Sequence, residues 1–464
     1  MSRNKIIILL LISLVACPNV KSETAQNSES NLVGATNFPA YSWDKIPLYM
    51  HGRKATAFTT NELNYLAEFP LITLEKTTGS TTYLSTEDGS IAAAKAIKAI
   101  NPNAKILYYR NVIVHYDTYN VNASLETITE PYLKNKYNGS VLNLVGTSPG
   151  YDLTNPLVRK WWVEHCVTMS QKPEIDGIFV DGNVKVLTDS YLLYELGQTK
   201  KNQLVTGYEI MMDSLRTKMN SDKIRFANLI RATLPDAGIS YMNYFDGTYL
   251  ENFTGDKNYY AKGIAAAQSV ARSGKIVAFT FDLDAVLTNP MPVDQNGYVI
   301  LTTDLQNKFN FLLAVYLICA EQYSYFLMHD GYNINLGVSA LWLQKFAEYD
   351  KPLGAPTGQA IKNGYVYTRK FQNVDVTLNL NTMTGVINWK STLTNTIEDQ
   401  DKWRIYSKNG KIRILGTDSG KQIEVYDVVG NKVWSGEKNS ESIEIQLPKG
   451  IYLIAGYRNL IYNY

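Results

Sequence analysis

The sequence has few of the residues that form metal sites or disulfide frameworks. Its 464 residues include three cysteines and four histidines, and their spacing follows no metal-binding pattern. Cys166 and Cys319 lie in apolar, helix-like segments, which is typical of buried free thiols. We therefore expect neither a metal centre nor another cofactor.

An excess of charge of one sign is also missing. The formal net charge is +2, so neither nucleic acid nor an anionic membrane is indicated as a partner. Tyrosine, in contrast, is abundant, with 33 residues. Its ring can pack on the C–H face of a sugar while its hydroxyl forms hydrogen bonds, which favours a carbohydrate ligand. We expect a monomer.

Long apolar runs are confined to the first residues. Residues 6–16 are apolar and follow a basic start, but this run is too short for a permanent membrane-spanning helix. It predicts a signal peptide over residues 1–22 and a flexible leader over 23–39. Two cleavage patterns remain open: a lipobox that would leave Cys17 lipidated, and an ordinary signal-peptidase site at residues 20–22. Either predicts an exported protein, extracellular or associated with the outer membrane or cell surface.

Short apolar segments alternate with helical segments between residues 40 and 355. Eight apolar segments end near polar residues, namely His51, Glu75, Arg110, Asp181, Asn228, Glu251, Asp282 and His329. They are apolar throughout, which is typical of strands buried on both faces. The pattern predicts an α/β fold, a (β/α)8 TIM barrel, with an enlarged loop over residues 112–157 and a last helix over 341–348. A doubly wound open sheet is the alternative, but no Gly-x-Gly-x-x-Gly follows the first strand.

The pattern changes near residue 356. Alternating polar and apolar residues predict a small antiparallel β domain over residues 356–390, packed on the barrel. Residues 391–402 are polar and predict a linker. Further β segments over 403–464 predict a second antiparallel, sandwich-like domain.

Two of the strand ends carry a carboxylate followed closely by asparagine. Asp181 closes an apolar strand and precedes Gly182, and Glu251 closes a later strand. Ligands of parallel α/β folds bind at the carboxyl ends of strands. The pair predicts glycosidic chemistry, with Asp181 as nucleophile or base and Glu251 as general acid among aromatic neighbours. The alternative is that Asp181 caps a helix or pairs with a buried arginine.

The other polar residues at the strand ends are candidate substrate ligands. A ring of donors and acceptors at one barrel mouth suits a ligand rich in hydroxyl groups. The candidates are His51, Glu75, Arg110, Asn111, Asn183, Asn228, Asp282 and His329. Glu75 and Asp282 could also be catalytic. Arg110 is expected either beside Asp181, keeping it ionised, or paired with another buried carboxylate.

Several segments resemble a hypothetical glycosyl hydrolase-like TIM-barrel family. They are residues 41–49, 108–111, 177–182, 349–356 and 364–369, and the resemblance covers residues 40–390. It implies a barrel of the broad group that includes endo-α-1,4-polygalactosaminidases, with the aspartate of the fourth barrel strand at Asp181. By analogy with retaining α-glycosidase barrels, Glu251 occupies the acid position on the sixth.

The end of the chain resembles a second family. Residues 423–431 and 447–453 are similar to the C-terminal sorting domain of the Bacteroidetes type IX secretion system. This resemblance implies secretion machinery as a partner. The sequence thus predicts a glycoside hydrolase of a polysaccharide or glycan. A non-catalytic carbohydrate-binding barrel at the bacterial surface is the alternative, and a deacetylase or lyase is a third, weaker one.

Overall fold

The computed structural model describes two compact units of the chain. The first comprises residues 37–370 and 376–387, and the second residues 371–375 and 388–463. Residues 1–36, 252, 284–286, 336, 391–403, 409, 417–419, 441, 456–460 and 464 are not described. The predicted signal peptide, Cys17, most of the leader and the 391–402 linker therefore lie outside the described residues.

The first unit contains the predicted barrel. Its parallel strands are β1 (Tyr49–Gly52), β2 (Leu71–Leu74), β3 (Lys105–Asn111), β6 (Gly177–Asp181), β7 (Ile224–Asn228), β8 (Gly247–Leu250), β9 (Ile276–Asp282) and β10 (Ser324–His329). Neighbours in this order are hydrogen-bonded. A parallel bridge between Leu48 and Phe326 joins the first strand to the last. The predicted (β/α)8 fold is confirmed.

Helices follow the strands along the chain. They are α1 (Thr60–Leu66), α2 (Ser80–Tyr83), α3 (Thr86–Ile100), α4 (Asn122–Leu125), α5 (Pro156–Ser170), α6 (Asn183–Leu187), α7 (Leu193–Leu196), α8 (Gln198–Lys218), α9 (Lys257–Arg272) and α10 (Thr303–Cys319). The last predicted helix, over 341–348, is wrong. Leu343 has a left-handed φ of 65°, which an α-helix cannot contain, and the segment ends in a 3₁₀ turn at Ala347–Asp350.

Aromatic rings fill the middle of the barrel. Tyr49, Phe179, Phe226 and Tyr249 are each at most 1% exposed. Their ring centroids lie 5.3–6.2 Å apart around this group. The interior is therefore a packed core, and ligands can only meet the strands at their ends.

The loop after β3 is enlarged, as predicted. It contains α4 and a short antiparallel pair, β4 (Asn143–Val145) and β5 (Ser148–Pro149). The loop is tied to the barrel because Tyr151 N donates to Ile113 O at 2.8 Å. It emerges at the carboxyl end of β3, on the face where the candidate residues lie.

Antiparallel sheets follow the barrel. The first is four-stranded, in the order β11 (Ile361–Asn363), β12 (Val366–Lys370), β13 (Val374–Asn379) and β14 (Thr384–Trp389). Its β12 packs on α10, where the buried Arg369 guanidinium donates to Leu317 O and Ile318 O at 3.2 and 3.3 Å. A separate small β domain over residues 356–390 stays a prediction, because most of this sheet belongs to the same compact unit as the barrel.

The second unit contains two further sheets. One has the order β15 (Arg404–Lys408), β16 (Lys411–Leu415) and β19 (Ser442–Gln446), and the other has the order β18 (Lys432–Lys438), β17 (Lys421–Asp427), β20 (Gly450–Ile454) and β21 (Ile461–Asn463). Ile412, Val425, Ile445 and Ile454 belong to its buried core. In the described residues, no helix combines the length and apolarity that a membrane span requires.

Candidate active site

Three neighbouring strands bring the two predicted carboxylates together. Asp181 ends β6, Asn228 ends β7, and Glu251 follows β8. The Asn228 side-chain amide donates to Asp181 Oδ1 at 3.1 Å and to Glu251 Oε2 at 2.8 Å. Because both bonds leave one nitrogen, these two carboxylate oxygens are at most about 5.9 Å apart. The predicted residues therefore share one rim.

The hydrogen bonds that Asp181 accepts from the described residues all come from neutral donors. Its Oδ2 accepts hydrogen bonds from the Tyr109 hydroxyl at 2.5 Å and from Asn111 Nδ2 at 3.2 Å. Burial, followed by the charge of Asp181, raises the pKa of Tyr109 well above its usual value, so its hydroxyl remains a donor. Asp181 itself is partly exposed, which leaves it accessible to a ligand.

Gly182 allows Asn111 to lie beside Asp181. It has a φ of 83°, and a Cβ there would be 2.5 Å from Asn111 Oδ1. That oxygen already accepts from Ile113 N at 3.0 Å and Val114 N at 2.8 Å, so Asn111 cannot move away without losing both bonds. Glycine is therefore required at position 182, because the backbone angle φ is positive and because a Cβ atom would clash with Asn111.

Glu251 lies in a more polar environment than its sequence neighbours indicate. Its side chain is 33% exposed, and its Oε2 lies 3.3 Å from Arg231 Nη2. Arg231 Nη1 also donates to the Glu251 carbonyl oxygen at 2.7 Å, and Arg231 Nη2 donates to Asn228 Oδ1 at 3.2 Å. Arg231 thus fixes Glu251 and Asn228 together, and nothing in the sequence pattern singled it out.

Glu75 lies at the end of β2 in a buried ionic cluster. Arg53 Nη1 donates to its Oε2 at 2.8 Å, Lys76 Nζ contacts its Oε1, and His51 Nε2 lies 4.0 Å from Oε1. Burial raises the pKa of the Glu75 carboxyl, but His51, Lys76 and Arg53 outweigh burial and lower the pKa to about 2. Glu75 is consequently ionised at neutral pH.

Aromatic side chains connect this cluster to the carboxylates. Lys76 Nζ lies 5.0 Å from the ring centroid of Tyr109 and 5.3 Å from that of Tyr116. His51 stacks on Tyr249 at 4.9 Å, and the Tyr249 hydroxyl donates to the Tyr332 hydroxyl at 2.5 Å. Of these rings, those of Tyr116 and Tyr332 are partly exposed and can offer an apolar face and a hydroxyl group to a sugar. Tyr109 and Tyr249 are buried and support the site from beneath.

A simple signal in the sequence identifies two of these tyrosines. Tyr109 and Tyr249 lie two residues before Asn111 and Glu251 respectively. Side chains two apart in a strand face the same side, so counting back two positions from a polar strand end finds the next side chain facing the barrel axis. Tyr332 and Arg231 lie beyond strand ends, where no such period applies.

Two predicted substrate ligands, Arg110 and Asn183, are buried in contacts with other parts of the protein, and both expectations are corrected. Arg110 alternates with Tyr109 and Asn111 and faces the other side of β3. Its guanidinium carbon lies 4.4 Å from the Tyr119 ring centroid and 5.1 Å from that of Trp161, and it is 1% exposed. Arg110 therefore packs against aromatic rings, whereas it was expected beside Asp181 or another buried carboxylate.

Asn183 is fully buried at the start of α6. Its amide donates to Val180 O at 2.7 Å and to Asn228 O at 3.1 Å, and its Oδ1 accepts from the Tyr208 hydroxyl at 2.8 Å. Asn183 is 0% exposed, so it cannot contact a substrate directly. It instead ties β6 to β7, the strands that carry Asp181 and Asn228.

His329 and Asp282 end neighbouring strands in register. His329 is buried, and its Nδ1 accepts from Gly331 N at 3.0 Å while its ring lies 4.7 Å from that of Tyr332. Asp282 is partly exposed. A cavity beside His51 and His329 has a volume of about 30 Å³, which suits a single water and not a sugar. Their assignment as substrate ligands stays a prediction.

Across the residues that the structure describes, no group of three or more histidine, cysteine, aspartate or glutamate side chains is placed to hold a metal ion. The thiols of Cys166 and Cys319 are free and buried.

Comparison with known proteins identifies one family. The model of hypothetical glycosyl hydrolase family 15 matches residues 98–374. That range includes Asp181, Asn228 and Glu251, together with Asn111 and Tyr109. No curated protein sequence matches the chain.

Solved structures similar to this chain include three glycoside hydrolases. The glycoside hydrolase domain of PelA from Pseudomonas aeruginosa is 11% identical, over 51% of this chain and 83% of that one, with a TM-score of 0.35. The maltogenic α-amylase AmyB from Thermotoga neapolitana is 12% identical, over 87% and 96%, with a TM-score of 0.39. The GH36 α-galactosidase AgaA from Geobacillus stearothermophilus is 12% identical, over 88% and 56%, with a TM-score of 0.41. The fold assignment rests on the strand order described above and not on these matches.

Proposed function

The chain belongs to hypothetical glycosyl hydrolase family 15, and we propose that it hydrolyses glycosidic bonds with Asp181 and Glu251 as its two catalytic carboxylates. The observation that carries this proposal is the Asn228 amide, which donates to both carboxylates at 3.1 and 2.8 Å. Two carboxyl groups on one rim, close enough to flank one bond, are what this chemistry requires.

The same geometry supports hydrolysis with retention of the anomeric configuration. The two N–H bonds of an amide diverge by about 120°, which places the bridged oxygens roughly 5 Å apart. Retaining enzymes have carboxyl groups about 5–5.5 Å apart, whereas inverting enzymes need about 6.5–9.5 Å to admit a water molecule. We therefore assign a double displacement.

In the first step, Asp181 attacks the anomeric carbon as Glu251, which takes up a proton from solvent when the substrate binds, gives that proton to the leaving oxygen. The glycosidic bond breaks and a glycosyl ester forms on Asp181. In the second step, Glu251 takes a proton from water, the water oxygen attacks the anomeric carbon, and the ester bond to Asp181 breaks. Asp181 Oδ1 accepts one hydrogen bond where Oδ2 accepts two, so Oδ1 is the oxygen better placed to attack.

The surrounding residues have distinct roles in this proposal. Tyr109 and Asn111 orient Asp181, and Arg231 orients Glu251. Glu75 is held ionised by its cations and cannot donate a proton at neutral pH. It is therefore a candidate acceptor for a sugar hydroxyl and the anchor of Arg53 and Lys76, and not the general acid.

The first test is a screen for released reducing sugar with the protein lacking residues 1–31. Soluble polysaccharides and aryl glycosides serve as substrates for the wild type, Asp181→Asn and Glu251→Gln. We expect Asp181→Asn to lose at least about 10⁴-fold in turnover, because no nucleophile remains. Asp213→Asn is the matched control, because Asp213 is an exposed helix residue paired with Arg216, and its turnover should equal that of the wild type.

The second test assigns the two roles separately. Azide replaces a missing nucleophile or a missing base, with different stereochemical results. Asp181→Gly with azide should give a glycosyl azide of inverted configuration, and Glu251→Gly with azide one of retained configuration. An unchanged rate in both variants would contradict the assignment. Binding without hydrolysis in the wild type and in Asp181→Asn alike would favour the carbohydrate-binding barrel.

We also propose that the substrate is met outside the cell. The support is the N-terminal signal pattern and the resemblance of residues 423–431 and 447–453 to a sorting domain. Cell fractionation of the full chain and of a chain lacking residues 403–464 tests this proposal. Equal distribution of the two proteins among culture medium, envelope and cytoplasm would contradict a sorting role.

A further inference from the structure

Two exposed tyrosines form a ring pair on the rim of the barrel. Tyr137 is 61% exposed and Tyr194 is 71% exposed. Their ring centroids lie 5.2 Å apart with an angle of 40° between the ring planes. Tyrosine normally buries most of its ring, so two rings that contact each other while facing solvent are candidates for a binding surface.

The pair lies on the same face as the proposed catalytic residues. Tyr137 belongs to the loop after β3, which ends at Asn111, and Tyr194 belongs to α7, in the connection after β6, which ends at Asp181. Asn111 and Asp181 are partners in the parallel register of these neighbouring strands. Both tyrosines therefore lie on segments that leave the barrel directly from the candidate site.

The two segments are fixed to each other. Lys136 N donates to Glu195 O at 2.9 Å, one residue before Tyr137 and one after Tyr194. Tyr137 N donates to Asn135 Oδ1 at 2.9 Å, which orients its backbone. The rings are thus held in place before any ligand arrives, and a pre-ordered surface costs little conformational entropy on binding.

The size of the surface selects its ligand. Two rings cover far less than the roughly 800 Å² that each partner contributes to a stable protein interface. They match one or two pyranose rings, whose C–H faces pack on aromatic rings. Lys136 Nζ, 4.6 Å from the Tyr137 ring centroid, supplies a donor for a sugar hydroxyl or carboxylate beside them.

We propose that Tyr137 and Tyr194 form an outer carbohydrate-binding site for a polysaccharide chain that extends from the active site. This inference rests on the proposed function and deepens it, because it names a polymer as the substrate class. A disaccharide bound between Asp181 and Glu251 would not use this tyrosine pair, whereas a long chain would gain affinity from it.

Paired measurements on polymer and on a small substrate test the site. The variants are Tyr137→Ala, Tyr194→Ala and the corresponding phenylalanine variants. Ile100→Ala is the control, since Ile100 is 47% exposed and ends α3 on the opposite face of the barrel. Affinity is measured by electrophoresis in native gels that contain soluble starch, galactomannan, xylan, chitosan or polygalacturonate, and activity is measured on an aryl glycoside.

We expect the alanine variants to bind the retarding polymer about tenfold more weakly, because each ring contributes stacking. The phenylalanine and Ile100→Ala variants should bind like the wild type, and all variants should keep wild-type activity on the aryl glycoside. Unchanged retardation in the alanine variants, retardation by none of the polymers, or self-association that depends on the two rings would overturn the proposal.

These measurements distinguish a failure of the outer site from a failure of the proposed catalysis. If the rings determine retardation but no variant hydrolyses any substrate, the outer site stands and the glycosidase assignment fails. If the wild type hydrolyses a polymer and the alanine variants do so with the same KM, the assignment stands and the outer site fails.

Discussion

Asn228→Asp tests the geometry on which the proposed mechanism depends. The change replaces a neutral donor by an isosteric carboxylate whose oxygen would lie 3.1 Å from Asp181 Oδ1 and 2.8 Å from Glu251 Oε2. With an effective dielectric constant of about 20, each repulsion between full charges is roughly 5–6 kcal/mol. Arg231 Nη2 lies 3.2 Å from the other side-chain oxygen of residue 228. Its attraction offsets about one of the two repulsions.

The remaining repulsion, roughly 6 kcal/mol, decides the protonation state of the new carboxyl group. Keeping it protonated at pH 7 costs about 4 kcal/mol, from an unfolded pKa near 3.9 and 1.36 kcal/mol per pKa unit. Because protonation costs less than repulsion, the folded variant retains the proton and its pKa is raised. The destabilisation is therefore near zero at pH 4 and grows by about 1.4 kcal/mol per pH unit up to pH 7.

Urea unfolding followed by tryptophan fluorescence between pH 4 and pH 8 measures this trend without any substrate. We expect Asn228→Asp to lose about 4 kcal/mol relative to the wild type at pH 7 and little at pH 4. Asn202→Asp, an exposed position in α8, is the control and should show a trend below about 0.5 kcal/mol. A pH-independent loss, or none, would refute the shared contact of Asn228 with both carboxylates.

Three further changes test the supporting residues. Gly182→Ala should destabilise the protein by about 2 kcal/mol more than Gly139→Ala in urea unfolding, because both have positive φ but only the former contacts Asn111. The wild type should lose about 3 kcal/mol of stability between pH 4.5 and pH 2 as Glu75 takes up a proton, because its pKa of about 2 makes the charged form stabilising above that range. Glu75→Gln should not show this loss. Tyr109→Phe should lower kcat about 10–100-fold with an unchanged unfolding midpoint, measured on the substrate found in the screen, because the nucleophile loses a 2.5 Å hydrogen bond.

Much of the fold could be predicted from the sequence because parallel strands buried on both faces are apolar throughout. Each strand end was marked by a polar residue, which is why the order from His51 to His329 agreed with the observed barrel. The helix predicted over residues 341–348 was wrong because a pattern of apolar residues does not indicate the sign of the backbone angle φ. Leu343 is left-handed, and its environment, not its residue type, imposes that conformation.

The candidate site was predicted in part, for a related physical reason. The period of two residues in strands decides which side chains face the barrel axis. Asn111 and Tyr109 share a side of β3, so the structure brings both to Asp181. Arg110 lies between them and faces outward to Tyr119 and Trp161. A charged residue next to a site residue in the sequence, such as Arg110 next to Asn111, therefore need not lie in the same site.

Residues beyond the strand ends were not predictable in the same way. Arg231 and Tyr332 reach the site through loops, whose conformation depends on contacts with several strands at once. Arg231 does so by bonding to the Glu251 backbone as well as its carboxylate. No period in the sequence encodes such a contact, so these residues could be found only from the structure.

The surroundings of the three acidic residues at this rim explain why they cannot be interchanged. Glu75 contacts two cations and is buried, which commits it to the charged state. Among the described residues, Asp181 accepts hydrogen bonds from neutral donors and is partly exposed. In the proposed mechanism, no fixed counter-ion from these residues has to be displaced when a sugar cation develops beside it. Glu251 has one cation and a solvent-facing side, which leaves a path for a proton to enter and leave. In the proposed mechanism, the roles of nucleophile, acid–base residue and structural anion thus follow from environment, although all three side chains carry a carboxyl group.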